Sequence, residues 1–135
     1  MKHVRFAIHT TNGDLTMSNA TVKANGGEVT GEKSQSSGIY AGGKVVIDGG
    51  TVEALGGAAT GKDGQSSGIC ADGDITVSGT AGVTARGGDI PLADNAGDEA
   101  TTMLTESYGI FAQGGDVTIH GGTVEAAGGN HTAWS

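Results

Sequence analysis

Hydrophobic and polar residues alternate with a period of two along most of the chain. In the segment 38–57, the runs Ile39-Tyr40-Ala41, Val45-Val46-Ile47 and Val52-Glu53-Ala54 each place an apolar side chain at their first and third positions. Short alternating runs are typical of β-strands with one buried face. Glycine-rich pairs separate the runs and leave no uninterrupted stretch long enough to nucleate a helix. The pattern therefore predicts an all-β protein with three short strands in this segment.

The same segment recurs in four copies. They span residues 7–27, 38–57, 68–88 and 109–129, so their starts are 31, 30 and 41 residues apart. The extra residues of the last interval fall in 89–106, which predicts one loop inserted into a stacked repeat. Three strands and three corners in roughly 30 residues predict one coil of a single-stranded parallel β-helix, a solenoid of about four coils. We expect one such domain over residues 1–135, alone or as a fragment of a longer repeat array.

Aligning the copies assigns each strand position to an inner or an outer side. Equivalent residues of successive coils are expected to lie about 4.8 Å apart in rows. The predicted inner rows are Ile8, Ile39, Ile69 and Ile110; Leu15, Val45, Ile75 and Val117; Met17, Ile47, Val77 and Ile119; Val22, Val52, Val83 and Val124; and Ala24, Ala54, Ala85 and Ala126. A charge at Ile69 or Val77 is expected to unfold the protein. The glycine pairs are expected to supply the positive φ angles of tight corners.

Composition narrows the classes of function. The chain has 27 glycines, one proline, one cysteine and a net charge of −8. Such an acidic chain is a poor partner for nucleic acid, because binding phosphates requires clustered lysine and arginine. No run of 18 apolar residues predicts insertion into a membrane, and residues 1–7 lack the apolar core of a signal peptide. The single Cys70 excludes an internal disulfide.

The outer side of the first strands carries the first candidate site. Its row contains His9, Tyr40, Cys70 and Phe111, and we take His9, Tyr40 and Phe111 as candidates for carbohydrate binding. Aromatic faces aligned along one side can stack against the apolar C–H surface of sugar rings. The alternative is that the long third corner covers this row and makes it a second core.

Acidic residues form the second candidate site. Asp72, Asp74 and Asp89 are the candidate metal ligands, and an acidic loop after Asp89 could contribute further oxygens. Calcium requires six or more oxygen ligands. No D-x-[DN]-x-[DN]-G loop is present, so a solvated acidic loop is the alternative to a calcium site. No cofactor is required by this interpretation, and calcium is the one cation that it allows.

Two further functions were weighed on residue spacing. Rows of outward threonines (Thr16, Thr76 and Thr118; Thr21, Thr51 and Thr123) resemble an ice-binding surface, but Val46 interrupts the first row. A calcium-dependent polysaccharide lyase would need a base beside metal-bound carboxylates, and Arg86 alone lies near the acidic group in sequence. No pair of opposed carboxylates or nucleophile elbow occurs. We therefore expect no enzymatic activity.

The repeated pattern G-I-x-A-x-G-x-[IV]-x-[IV]-x-G-G-T-V-x-A-x-G-G resembles that of secreted bacterial β-helix proteins described as carbohydrate-binding. These are pectate-lyase-like, adhesin-type proteins of the cell surface, and the resemblance covers nearly all 135 residues. It implies the right-handed parallel β-helix fold, an extracellular or bacterial cell-surface location, polysaccharide as the partner, and calcium at coil corners.

These observations leave two classes of function. The first is a non-catalytic polysaccharide-binding or adhesin-type module of the cell surface. The second is a purely structural stalk, a repeat segment of a larger surface protein. In either class the ends of the stack expose strand edges and apolar rows, which predicts a homo-oligomer formed by end-to-end stacking of coils.

Overall fold

The structure is a computed structural model that describes residues 4–30, 35–60, 64–88 and 106–128. These residues form strands and turns and contain no helix. Their strands are β1 (Val4–Thr10), β2 (Leu15–Asn25), β3 (Val29–Thr30), β4 (Gln35–Ala41), β5 (Val45–Leu55), β6 (Ala59–Thr60), β7 (Gln65–Ala71), β8 (Ile75–Ser78), β9 (Gly82–Arg86), β10 (Glu106–Ala112), β11 (Val117–Ile119) and β12 (Thr123–Ala127). The prediction of an all-β protein is confirmed for the described part of the chain.

Each strand pairs in parallel with the equivalent strand of the next copy. The first sheet has the order β1-β4-β7-β10. In the second sheet β2 pairs with β5, β5 pairs with β8 and β9, and these pair with β11 and β12. Strands β3 and β6 form a third, two-stranded sheet. Parallel strands need long connections, and here each connection contains the rest of a copy.

The predicted alignment of the copies is the register of these sheets. Ile39 lies opposite Ile8 on one side and Ile69 on the other, and Ile69 lies opposite Ile110. The second sheet keeps the same register, with Ile47 opposite Met17 and Val77. Like residues therefore follow one another across the sheets, as the repeat predicted.

The inner rows form one hydrophobic core, but their burial depends on the copy. Ile39, Ile47, Ile69 and Val77 are fully buried. In the fourth copy, by contrast, Val117 is 44% exposed and Ile119 is 51% exposed, and Ala126 is exposed as well. The prediction that these three side chains are buried is wrong, because within the described residues β11 and β12 have a neighbouring strand on one side only.

The second and third predicted strands are not separate in the first two copies. They form the continuous strands β2 and β5, because Gly49 (φ 76°) and Gly50 (φ 82°) bend the chain while pairing continues through Ala20 and Gly50. The third and fourth copies do have two strands here, β8 with β9 and β11 with β12. The expectation of three strands per copy therefore holds only for part of the chain.

The first strand and the third corner also differ from the prediction. Strand β4 begins at Gln35 instead of Ile39, so the polar residues before the alternating run belong to the sheet. Within the predicted third corner, β3 and β6 place Val29 against Ala59 in a second small core. Glu106 begins β10, so the predicted insertion 89–106 overlaps that strand by one residue. Its residues 89–105 lie outside the described ranges.

Glycines serve two purposes at the corners. Positive φ angles were expected at every pair, and they occur at Gly49 and Gly50 but not at Gly57. At Gly57 the requirement is space, since a Cβ there would overlap the backbone carbonyl of Gly27 in the copy below. Glycine at this corner allows the backbones of successive copies to approach closely.

Serine hydroxyls connect the copies through the third corner. Ser36 donates a hydrogen bond to the Gly27 carbonyl (2.6 Å) and accepts one from the Gly57 amide (2.9 Å). Ser66 repeats this one copy later, donating to the Gly57 carbonyl and accepting from the Gly88 amide, both at 2.7 Å. We call this arrangement the serine ladder. It satisfies backbone groups that the short corner strands leave unpaired.

Candidate functional site

The side of the first sheet that faces away from the core carries most of the aromatic residues. His9, Tyr40 and Phe111 lie in the predicted row, with Cys70 between the last two. The ring centroids of His9 and Tyr40 are 5.3 Å apart in an edge-to-face arrangement. His9 is exposed, whereas Tyr40 and Phe111 are half-buried. The structure therefore brings His9 and Tyr40 together and places Phe111 on the same side of the sheet.

Phe6 is an aromatic residue of this side that the sequence analysis missed. Its ring stacks on Tyr40 with centroids 4.8 Å apart and planes at 20°, and it lies 4.8 Å from the ring of His9. Tyr108 occupies the same register position in the fourth copy and stacks on Phe111 at 4.4 Å and 20°. An aromatic residue three positions before the outward row, in the first and last copies alone, was the available signal. We call Phe6, His9, Tyr40, Tyr108 and Phe111 the aromatic face.

The aromatic face has two clusters with β7 between them. Tyr40 and Phe111 are separated by two strand spacings, roughly 10 Å. Between them β7 contributes Ser67 and Cys70, whose side chains are fully buried. The face thus has two stacked groups of rings on either side of a narrow strip of small side chains.

Cys70 is on this outer side and is nevertheless inaccessible. Its thiol is within 3.8 Å of the Gln113 amide nitrogen, which donates to the sulfur. Burial raises the pKa of the Cys70 thiol to about 12, and the negative charge of Asp72 raises it further while the Gln113 hydrogen bond acts in the opposite direction. A thiol that stays protonated in a buried position is a small apolar residue. Cys70 therefore supports the rings and offers no reactive group.

Asp72 adds a polar edge to the aromatic face. The Tyr40 hydroxyl donates a hydrogen bond to its carboxylate, with 2.9 Å between the oxygens. Burial is the largest cause that raises the pKa of Tyr40 to about 12, and the hydrogen bond and charge of Asp72 add to it. Asp72 is exposed. At neutral pH the edge presents a neutral phenol and an accessible carboxylate, both able to bind hydroxyl groups of a ligand.

The other predicted metal ligands have different roles or positions. The Asp74 carboxylate accepts a hydrogen bond from the backbone amide of Asp116 (2.8 Å), as Asp14 does from the amide of Lys44 (2.8 Å). These aspartates connect the first corners of adjacent copies, a role that the sequence analysis missed. Asp89 lies outside the described residues. Within the described ranges no group of three or more His, Cys, Asp or Glu side chains is placed to hold a metal. The calcium site remains a prediction.

The second sheet carries the threonine rows on its outer side. Thr16 and Thr118 are exposed, with Val46 and Thr76 half-buried between them in the same row. Exposed threonine is also a favourable residue for any solvent-facing strand. His120 belongs to this second sheet and His9 to the first, as expected.

Comparison with known proteins gave no match to a family model, a curated protein or a solved structure. The resemblance to pectate-lyase-like and adhesin-type proteins therefore stays a prediction from the repeat pattern. Across the described ranges there is no helix with the length and apolar character needed to cross a membrane. The aromatic face, with Asp72 at its edge, is the candidate functional site.

Proposed function

We propose that the chain winds as a parallel β-helix in which each copy forms one coil. The support is the register, because three successive copies align residue by residue in both large sheets at separations of 31 and 30 residues. The fourth follows after 41 residues without a change of register in the first sheet. A chain that repeatedly returns one strand further along the same sheets is expected to form a solenoid.

We further propose that the protein is a non-catalytic polysaccharide-binding module that uses the aromatic face. The observation that carries this proposal is the pair of stacked clusters, Phe6 with Tyr40 and Tyr108 with Phe111, on one side of a sheet. Sugar rings have apolar C–H faces that pack on aromatic rings, and their hydroxyls bind carboxylates and phenols. Two groups of rings roughly 10 Å apart suit an extended chain of sugars better than a single small ligand.

The polar groups of the face favour binding over catalysis. Asp72 accepts the Tyr40 hydrogen bond, and Asp74 is engaged with the backbone of Asp116. Glycoside hydrolysis would require two carboxylates on opposite sides of one glycosidic bond. A binding module with an acidic edge fits the extracellular or bacterial cell-surface location that the repeat pattern implies.

The test is retention on soluble and insoluble glycans. We expect the double variant Tyr40→Ala/Phe111→Ala to lose about tenfold or more of its retention, since two ring contacts of about 0.5–1.5 kcal/mol each are removed. Thr16→Ala/Thr118→Ala is the matched control, because it changes two exposed residues of the same first and last copies on the other sheet. Far-ultraviolet circular dichroism confirms folding of both variants, and a parallel series with a chelator tests the calcium prediction.

Two results would contradict the binding proposal. One is equal retention of the double variant and the wild type on every glycan that binds. The other is no retention of the wild type on any glycan, which favours the second candidate, a structural stalk. That candidate is supported by the serine ladder, which joins successive copies at equivalent positions through Ser36, Ser66 and Ser107.

A further inference from the structure

The two edges of the stacked copies differ in what they expose. At the edge formed by the fourth copy, Val117 and Ile119 are 44% and 51% exposed. They continue rows whose members one strand earlier, Ile75 and Val77, are fully buried. Exposed large hydrophobic residues beside an unpaired strand edge are a site where another chain can add.

The edge formed by the first copy continues the same rows in the opposite direction. Leu15 belongs to the row that ends at Val117, and Met17 to the row that ends at Ile119. Among the described residues, β1 and β2 pair on one side only, with β4 and β5. The first copy of one molecule therefore has the side chains and the free strand edge needed to follow the fourth copy of another.

Charge selects this arrangement over the pairing of two identical edges. Lys23, Glu53, Thr84 and Glu125 form one row of the second sheet. Within the molecule Lys23 lies 3.9 Å from the carboxylate of Glu53 in the next copy. A first copy added to the fourth would bring Lys23 beside Glu125 in the same way. Two fourth-copy edges would instead bring Glu125 against Glu125.

We propose that the protein self-associates head to tail, the first copy of one molecule pairing in parallel with the fourth copy of the next. The contact buries Val117 and Ile119 under Leu15 and Met17 and pairs Lys23 with Glu125. Because the two surfaces are different, the contact leaves a free edge at each end of the assembly. Such heterologous contacts extend into filaments unless the rotation closes a ring.

The first test measures mass against concentration by sedimentation velocity and light scattering. We expect the mass of the wild type to rise with concentration, and Val117→Asp and Ile119→Asp to remain monomeric. Thr118→Asp is the control, since it places the same charge between these two residues on the outer side of β11. All three positions are exposed in the monomer, so the variants are expected to fold.

The second test determines the direction of the contact by disulfide cross-linking. Thr16 and Thr118 lie in one row and face outward, so a head-to-tail contact brings position 16 of one molecule beside position 118 of the next. Thr16→Cys and Thr118→Cys are therefore oxidised separately and as a mixture. We expect cross-linked dimers in the mixture alone, because neighbouring strands place Cα atoms within the range that a disulfide spans. The wild type, with its buried Cys70, is the control for background oxidation.

Three results would overturn the proposal. A wild type that is monomeric at every concentration has no such contact. An unchanged mass for Ile119→Asp would place the contact elsewhere. Cross-linking of Thr118→Cys with itself would mean that two identical edges pair. None of these results depends on glycan binding, since the aromatic face lies on the first sheet and the association variants on the second.

Discussion

Two neighbouring serines of β7 have the same burial and different surroundings. Ser66 and Ser67 are both fully buried. The Ser66 hydroxyl makes two hydrogen bonds to the backbone of adjacent copies, with Gly57 and Gly88. The Ser67 hydroxyl has no hydrogen-bond partner in the described part of the chain. A buried hydroxyl that satisfies backbone groups stabilises the fold, whereas a buried hydroxyl without a partner costs free energy.

We expect Ser66→Ala to lower the free energy of unfolding by about 1–3 kcal/mol, because the carbonyl and amide that it serves lose their partner. Ser67→Ala is expected to change the free energy by less than about 0.5 kcal/mol or to increase it. Equilibrium unfolding in urea at one low protein concentration compares the two variants. Equal losses would contradict the serine ladder as a stabilising element.

At the scale of elements, the corners determine how closely the copies approach. A Cβ at Gly57 would overlap the Gly27 carbonyl, and a Cβ at Gly88 would overlap that of Gly57 in the same way. Gly82 is different, since nothing lies within 4 Å of a Cβ built there. Its row neighbours are Thr51 and Thr123, which carry branched side chains in the same place. The same residue type is therefore required at one position and replaceable at another.

Gly57→Ala is expected to destabilise the protein by about 1–3 kcal/mol, because the corner backbone must move apart to admit the methyl group. Gly82→Ala is expected to leave stability unchanged or to raise it by about 0.4–1 kcal/mol, since alanine restricts the unfolded chain. Thermal and urea unfolding measure both. A Gly82→Ala variant as unstable as Gly57→Ala would show that space at the corner is not the reason for glycine.

At the scale of the whole molecule, burial falls from the middle copies towards the fourth. Ile47 and Ile119 are the same residue type in one row, and their exposed fractions are 0% and 51%. In repeat proteins each copy contacts only its neighbours, so a copy with one neighbour buries less. The stability of each copy thus depends on what lies on both of its sides.

We expect Ile47→Ala to cost about 2–5 kcal/mol, the usual effect of truncating a fully buried isoleucine. Ile119→Ala is expected to cost less than about 0.5 kcal/mol in dilute solution, because half of its surface is already in water. The Ile119→Ala cost should increase with protein concentration if the fourth copy is covered by a second molecule. Denaturant unfolding at several concentrations measures both effects, and equal costs at low concentration would contradict the burial difference.

The sequence by itself determined the strands, their inner side and the register between copies. Period-two alternation depends on the geometry of a single strand, and the repeat aligns equivalent residues whatever path connects them. Ile39 and Ile69 could therefore be assigned to one buried row, and Tyr40 to the opposite side of the sheet, without coordinates. The insertion of eleven extra residues before the fourth copy left this alignment unchanged.

Only the tertiary structure decided the contacts between copies. Phe6 reaches the ring of Tyr40, and Asp74 binds the backbone of Asp116, in each case across adjacent copies. The continuous strand β5 depends on a bend at Gly49 and Gly50 that keeps its hydrogen bonds, and the exposure of Ile119 depends on which strands flank β11. Alternation along one strand contains no information on how far a side chain extends to the next copy or on how many neighbours a strand has. Those properties are set by the path of the backbone through its corners.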